Sequence, residues 1–214
     1  MKVCSSIMAM ATATKTLDFT QGNLKKEILT FSLPLFLGNL FQQLYNAADS
    51  LIVGNTLGAK ALASVSSSGS LIFMMVGFFN GVALGAGVVI SKYFGAKDYG
   101  KMKRAIHTDL AFGFVAGLVL MVFGVVMTPI ILGWMRTPAD IIEGSIVYFR
   151  IYSMGILFCV MYNITMGIMN ATGDSTHPLM YLLISSVTNV ILDLFFIKVL
   201  HTGVGGAAAA TVIG

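Results

Sequence analysis

The stretch ALASVSSSGSLIFMMVGFFNGVALGAGVVIS, Ala61–Ser91, decides the fold class, because it contains no Asp, Glu, Lys or Arg. About 20 apolar residues in a helix suffice to cross the hydrocarbon core of a bilayer. Leu110–Met135 and Ile151–Gly173 are equally free of charge. The whole chain is 57% hydrophobic and only 10% charged, and its mean hydropathy is +0.87. A water-soluble domain carries about 25% charged residues. Alternating strand-like segments of about ten residues, the mark of a membrane barrel, are absent. The sequence therefore predicts an all-α, polytopic bundle.

Outward from that stretch, six spans can be drawn: Ile28–Val53, Leu62–Ile90, Ala105–Gly133, Ile142–Met169, Leu179–Leu200, and one beginning near Val204. Residues 1–24 read as a polar, mobile tail without the apolar run or cleavage site of a signal peptide. Residues 25–214 form the bundle. The sixth span reads as truncated, at roughly half the length a bilayer core requires. A longer parent protein is the expectation. The segment from Ser91 to Arg104 carries Lys92, Lys97, Lys101, Lys103 and Arg104, and the tail carries Lys2 and Lys15, followed by Lys25 and Lys26. Opposite loops keep Lys60, Arg136 and Lys198. The positive-inside bias then places the N-terminus in the cytoplasm. The net charge of +4 is accounted for by topology and headgroup contact, and no nucleic-acid partner is expected. Cys4 and Cys159 show neither disulfide nor metal spacing.

Two acids interrupt apolar spans. Asp49 and Asp193 each cost roughly 2.5–3.5 kcal/mol in hydrocarbon even on lenient insertion scales, so each should face the bundle interior or a watery cavity. In the first span Asn39, Gln42, Asn46 and Asp49 fall within an arc of about 80° at 100° per residue. That arc reads as a cavity-lining face. Helix–helix glue through side-chain amides is the plainer alternative. In the fifth span Ser186, Asn189 and Asp193 share one side, and Asn189 and Asp193 are i, i+4 neighbours. Such a cluster can share a proton or hold Na⁺. Its plain alternative is a helix-end acid paired with Lys198.

Other features have ordinary readings. Gly77, Gly81 and Gly85 read as a close-packing ridge, with Asn80 beside it as a candidate cavity residue. Pro34 either marks a first turn or permits a bend. His107, His177 and His201 lack ligand spacing, and Asp174 reads as part of a helix-capping turn.

LPLFLGNLFQQLYNAADSLIVGNTLGAKALASVS (Leu33–Ser66), NATGDSTHPLM (Asn170–Met180), NVILDLFFI (Asn189–Ile197) and the small-residue run Val204–Ile213 resemble, in that order, segments of the multidrug and toxic compound extrusion (MATE) family. The resemblance covers the chain from about residue 25. It implies a transporter of two six-helix bundles, with this chain as the N-terminal bundle and a C-terminal bundle as its missing partner. It implies export of organic, often cationic, small molecules across the cytoplasmic membrane of a prokaryote, in exchange for H⁺ or Na⁺ and with no other cofactor. It assigns Asp49, Asn189, Asp193 and Thr211 to ion coupling and Pro34 to bending of the first helix. It departs from the family at Met169–Asn170, where many members carry a basic residue.

Two rival readings were weighed. A lipid-linked precursor flippase needs a basic cavity, whereas the polar residues within these spans are acids and amides. An intramembrane aspartyl protease needs its Gly-Asp motif inside a span, whereas Gly173–Asp174 falls at a predicted loop. A purely structural membrane protein is the remaining alternative, and a non-enzyme is expected.

Overall fold

The computed structural model describes residues 24–214 and is helical throughout, with no strand among the described residues. Six helices follow the predicted spans: α1 Leu24–Leu57, α2 Ala59–Gly95, α3 Tyr99–Trp134, α4 Ile142–Ala171, α5 Thr176–Leu194 and α6 Gly203–Ile213. The tail reading concerns residues outside this description, apart from Leu24, which opens α1. Four helices, α2 to α5, are long and apolar enough to cross a membrane. Helix α1 also has the length, at 34 residues, but carries the polar arc.

The connections are tight because particular residues stop each helix. Gly58 alone joins α1 to α2, at φ 86°, a left-handed conformation that glycine adopts without the steric cost borne by other residues. Asp98 caps α3 by accepting from the Lys101 backbone N–H at 3.1 Å. Its carboxylate also pairs with Lys101 Nζ at 3.0 Å. The Lys101 backbone N–H, and then its ammonium, hold Asp98 below the usual carboxylate range. Asp174 accepts from the backbone N–H groups of Thr176 at 3.3 Å and His177 at 3.2 Å, and contacts His177 Nδ1 at 2.6 Å. The capping turn anticipated there is thus present, and His177 completes it.

Helix α4 is central, packing on α3, α2 and α6. Its contact with α3 depends on glycine. A Cβ added at Gly113 would stand 2.0 Å from Ile164 Cδ1, and one at Gly117 would stand 2.9 Å from Leu157 Cδ1 and 3.3 Å from its Cα. With lipid as apolar as the side chains, such backbone approach drives helices together through dispersion. The α2–α4 contact adds a serine ladder. Ser64 Oγ donates to the Ile141 carbonyl at 3.1 Å, Ser68 Oγ to that of Ser145 at 3.2 Å, and Ser145 Oγ to that of Ser64 at 3.2 Å. Below the ladder, Phe79, Ala83, Tyr152, Ile156, Val160 and Ile164 form a dry core.

Two expectations are corrected. Gly77, Gly81 and Gly85 are not a packing ridge within this bundle, since among the described residues nothing lies within 4 Å of a Cβ built on any of them. The close-packing glycines are on α3 and α4 instead. Pro34 does not mark a first turn, because α1 begins ten residues earlier, at Leu24. The fifth span is present over Thr176–Val199, and just beyond Asp193 it passes into a π-helical turn at Phe195–Val199.

Replacing Gly117 with Leu should lower the thermal midpoint of the detergent-solubilised chain, because overpacking costs about 1–3 kcal/mol. Gly81→Leu, which meets no neighbour, should leave the midpoint near wild type. Equal shifts in a fluorescence melting series would refute the packing assignment.

Candidate functional site: an acid pair inside the bundle

Helix α1 presents Asp49 inward with 9% of its surface exposed, and α5 presents Asn189 at 2% and Asp193 at 0%. The two carboxyl groups are near enough to interact with each other directly. Asp193 is therefore no headgroup anchor, and Lys198, exposed within the π-helical turn Phe195–Val199, forms no ion pair with it among the described residues. Ionised carboxylates only accept hydrogen bonds, so a bond between these two requires a proton. Among the described residues no hydrogen-bond partner faces Asp49 Oδ1, either Asp193 oxygen, or either amide atom of Asn189. Leaving buried polar groups unmatched is costly, and here three such residues lie on the paired helices α1 and α5.

Sequence reasoning missed part of the wall. Tyr45, one turn before Asp49, and Tyr148, on α4, both come within electrostatic reach of the acids. Tyr148 is 4% exposed, and its hydroxyl meets that of Thr211. The Thr211 hydroxyl also donates to the Ala207 carbonyl at 2.9 Å. Tyr45 could have been found from its i−4 spacing to Asp49. Nothing local in the sequence points to Tyr148, which α4 brings in from about a hundred residues away.

The remaining candidates are not gathered at the acids. Asn39, Gln42, Asn46 and Asn80 are exposed, outside any enclosure formed by this bundle. Ser186 is half-buried and donates to the Leu182 carbonyl at 2.7 Å. The first-span arc is thus split. Asp49 lies at its inner edge, beside the face that buries Gly38 and partly covers Tyr45, and the amides lie toward the outside. Pro34 sits in the body of α1, with no N–H to offer the Thr30 carbonyl. A further acid was overlooked: Asp109, on α3, is 6% exposed. It was passed over because it falls just before the charge-free run that begins at Leu110.

Comparison with known proteins gives this multi-pass helical bundle a specific class. The MatE family model matches residues 34–195, and the chain belongs to that family. It is 34% identical over 205 residues to the probable multidrug resistance protein YpnP of Bacillus subtilis, covering 93% of this chain and 45% of YpnP. It superposes with TM-score 0.87 and 28% identity on a MOP superfamily transporter from Pyrococcus furiosus, covering 94% of this chain and 44% of that one. A multidrug resistance MATE family transporter in an outward-facing conformation gives TM-score 0.85 and 28% identity, with 94% and 44% covered. The chain spans less than half the length of these relatives. Members of the family are multidrug efflux transporters, not enzymes.

If Asp49 and Asp193 share one site, neutralising either should relieve the same unfavourable burial. Asp49→Asn and Asp193→Asn should each raise or preserve the thermal midpoint. The double variant should gain no more than the better single one, as expected for contacting residues. Strictly additive shifts in the four-way melting comparison would show that the acids do not interact.

Proposed function

We propose that this chain is one bundle of a two-bundle antiporter in a prokaryotic cytoplasmic membrane, exporting organic cations against an inward flow of H⁺ or Na⁺. The observation carrying this reading is the burial of Asp49 and Asp193 side by side, without facing donors among the described residues. Family membership supports it.

In the proposed cycle, H⁺ or Na⁺ is a transported substrate. It enters between the carboxylates of Asp49 and Asp193, with the Asn189 amide oxygen beside them. Its arrival removes the repulsion between α1 and α5. The packing of α1 then changes. Pro34 interrupts the backbone ladder of α1 and gives that change a place to bend, and the π-turn after Asp193 gives α5 a matching irregularity. Thr211 acts through Tyr148, whose hydroxyl it touches. Asn39, Gln42, Asn46 and Asn80 face outward, toward the space a second bundle would enclose, and with Ser186 they line the path of the organic substrate. A cation that bound both states equally would drive nothing, so the unmatched oxygens must belong to one state more than the other.

The flippase reading fares worse, since the acids at the centre would repel a pyrophosphate. The protease reading is contradicted at Asp174, which is engaged in capping α5.

In a chain carrying both bundles, Asp193→Asn should insert normally but reduce gradient-driven efflux of a cationic dye from proteoliposomes to the protein-free background. Wild-type efflux by that variant, under either an imposed pH or an imposed Na⁺ gradient, would remove Asp193 from coupling.

Alternating access in repeat-built carriers moves one bundle against another. The 214-residue chain alone should therefore show no gradient-driven efflux at matched membrane levels. Robust efflux by it alone would overturn the half-carrier reading.

A further inference from the structure

A cleft of about 720 Å³ lies between α2 and α3, on the side of the Lys-rich turn that joins them. Its lining is apolar at Val82, Gly85, Val89 and Phe112, and its mouth, nearest the turn, carries Lys101 and Arg104. The exposed glycine ridge has a consequence here. A Cβ at Gly85 would meet no atom of the described residues within 4 Å, so the missing side chain leaves open space in the cleft lined by Phe112.

The charges at the mouth select the occupant. Lys92, Lys97, Lys101, Lys103 and Arg104 stand against Asp98 alone within Ser91–Arg104. Lys101 is held over the mouth by Asp98 at 3.0 Å and lies 5.9 Å from the centre of the Tyr93 ring. Arg104 is exposed one turn further along α3. Asp109, buried in the wall, lies five residues deeper. It would repel a phosphate there, so a headgroup stops at the level of Arg104 while only hydrocarbon passes below. The Thr108 hydroxyl is already donated to the Arg104 carbonyl at 2.9 Å and competes for nothing.

We propose that this cleft binds one anionic phospholipid, with its phosphate at Arg104 and Lys101 and one acyl chain laid along Gly85 beside Phe112. Basic clefts between membrane helices on the positively charged side are suited to such headgroups. The site is separate from the acid pair, and its occupancy would fix the spacing of α2 and α3.

The chain is reconstituted with equal amounts of phosphatidylglycerol and phosphatidylcholine, and native mass spectrometry counts the lipid each variant retains. Wild type should keep one phosphatidylglycerol in preference to phosphatidylcholine. Arg104→Gln and Lys101→Gln should each lower that retention about fivefold. Gly85→Leu, which fits without a clash, should abolish it with both cations still present. Lys60→Gln, at the far end of α2, should change nothing. Equal retention of the two lipids would overturn the site. So would undiminished phosphatidylglycerol on Gly85→Leu, or a loss in Lys60→Gln matching that in Arg104→Gln. Displacement of the lipid by a quaternary-ammonium amphiphile whose binding is lost in Asp109→Asn would assign the cleft to cations and also overturn it.

Discussion

The hydrocarbon core offers no water, so every backbone group within it must find its partner inside the protein. The rest of this structure depends on that constraint. It makes each span a helix, and it makes every departure from a regular helix expensive enough to need local support. Three departures interrupt the described helices: Pro34 within α1, Pro129 within α3 and the π-turn that follows Asp193 on α5. The π-turn is the one that adjoins the acid pair.

The same constraint explains what holds the bundle together. Burying Leu against Leu gains little when lipid is the alternative, so association must come from closeness and from hydrogen bonds. Helix α4 supplies both. Its contact with α3 is made close by Gly113 and Gly117, and its contact with α2 is pinned by Ser64, Ser68 and Ser145. Helices α1 and α5 pair with each other and stand further from α4. A rigid side built on α4 therefore sits beside a lighter side holding the acids.

The two buried acids also differ in setting. Asp193 is fully enclosed, with both oxygens lacking donors, whereas Asp49 keeps a small exposure and has one oxygen unmatched. Asp49 is thus the acid nearer the exposed side of α1. The amides of Asn39, Gln42 and Asn46 lie on that side, which links the outward polar strip to the buried pair through a single residue at its edge.

Much of this was legible in the chain itself. Charge-free runs gave the spans to within a few residues, because a bilayer tests length and polarity and little else. The capping turn at Asp174 was legible too, because N-capping is a local matter. Asp49 and Asp193 stood out because a carboxylate in hydrocarbon is costly wherever the helix points. The sequence by itself thus determined an all-helical membrane bundle with two interior acids. Tertiary structure decided that those acids meet, that Tyr148 and Thr211 stand beside them, and that the amides of the same arc face outward. It also decided that the glycines at 77, 81 and 85 line an open face while those at 113 and 117 close one. The physical reason is that helical periodicity says which residues share a side. Which neighbour that side meets depends on packing between segments far apart in the chain, as Gly113 on Ile164 and Asp49 beside Asp193 show, and no local pattern encodes it.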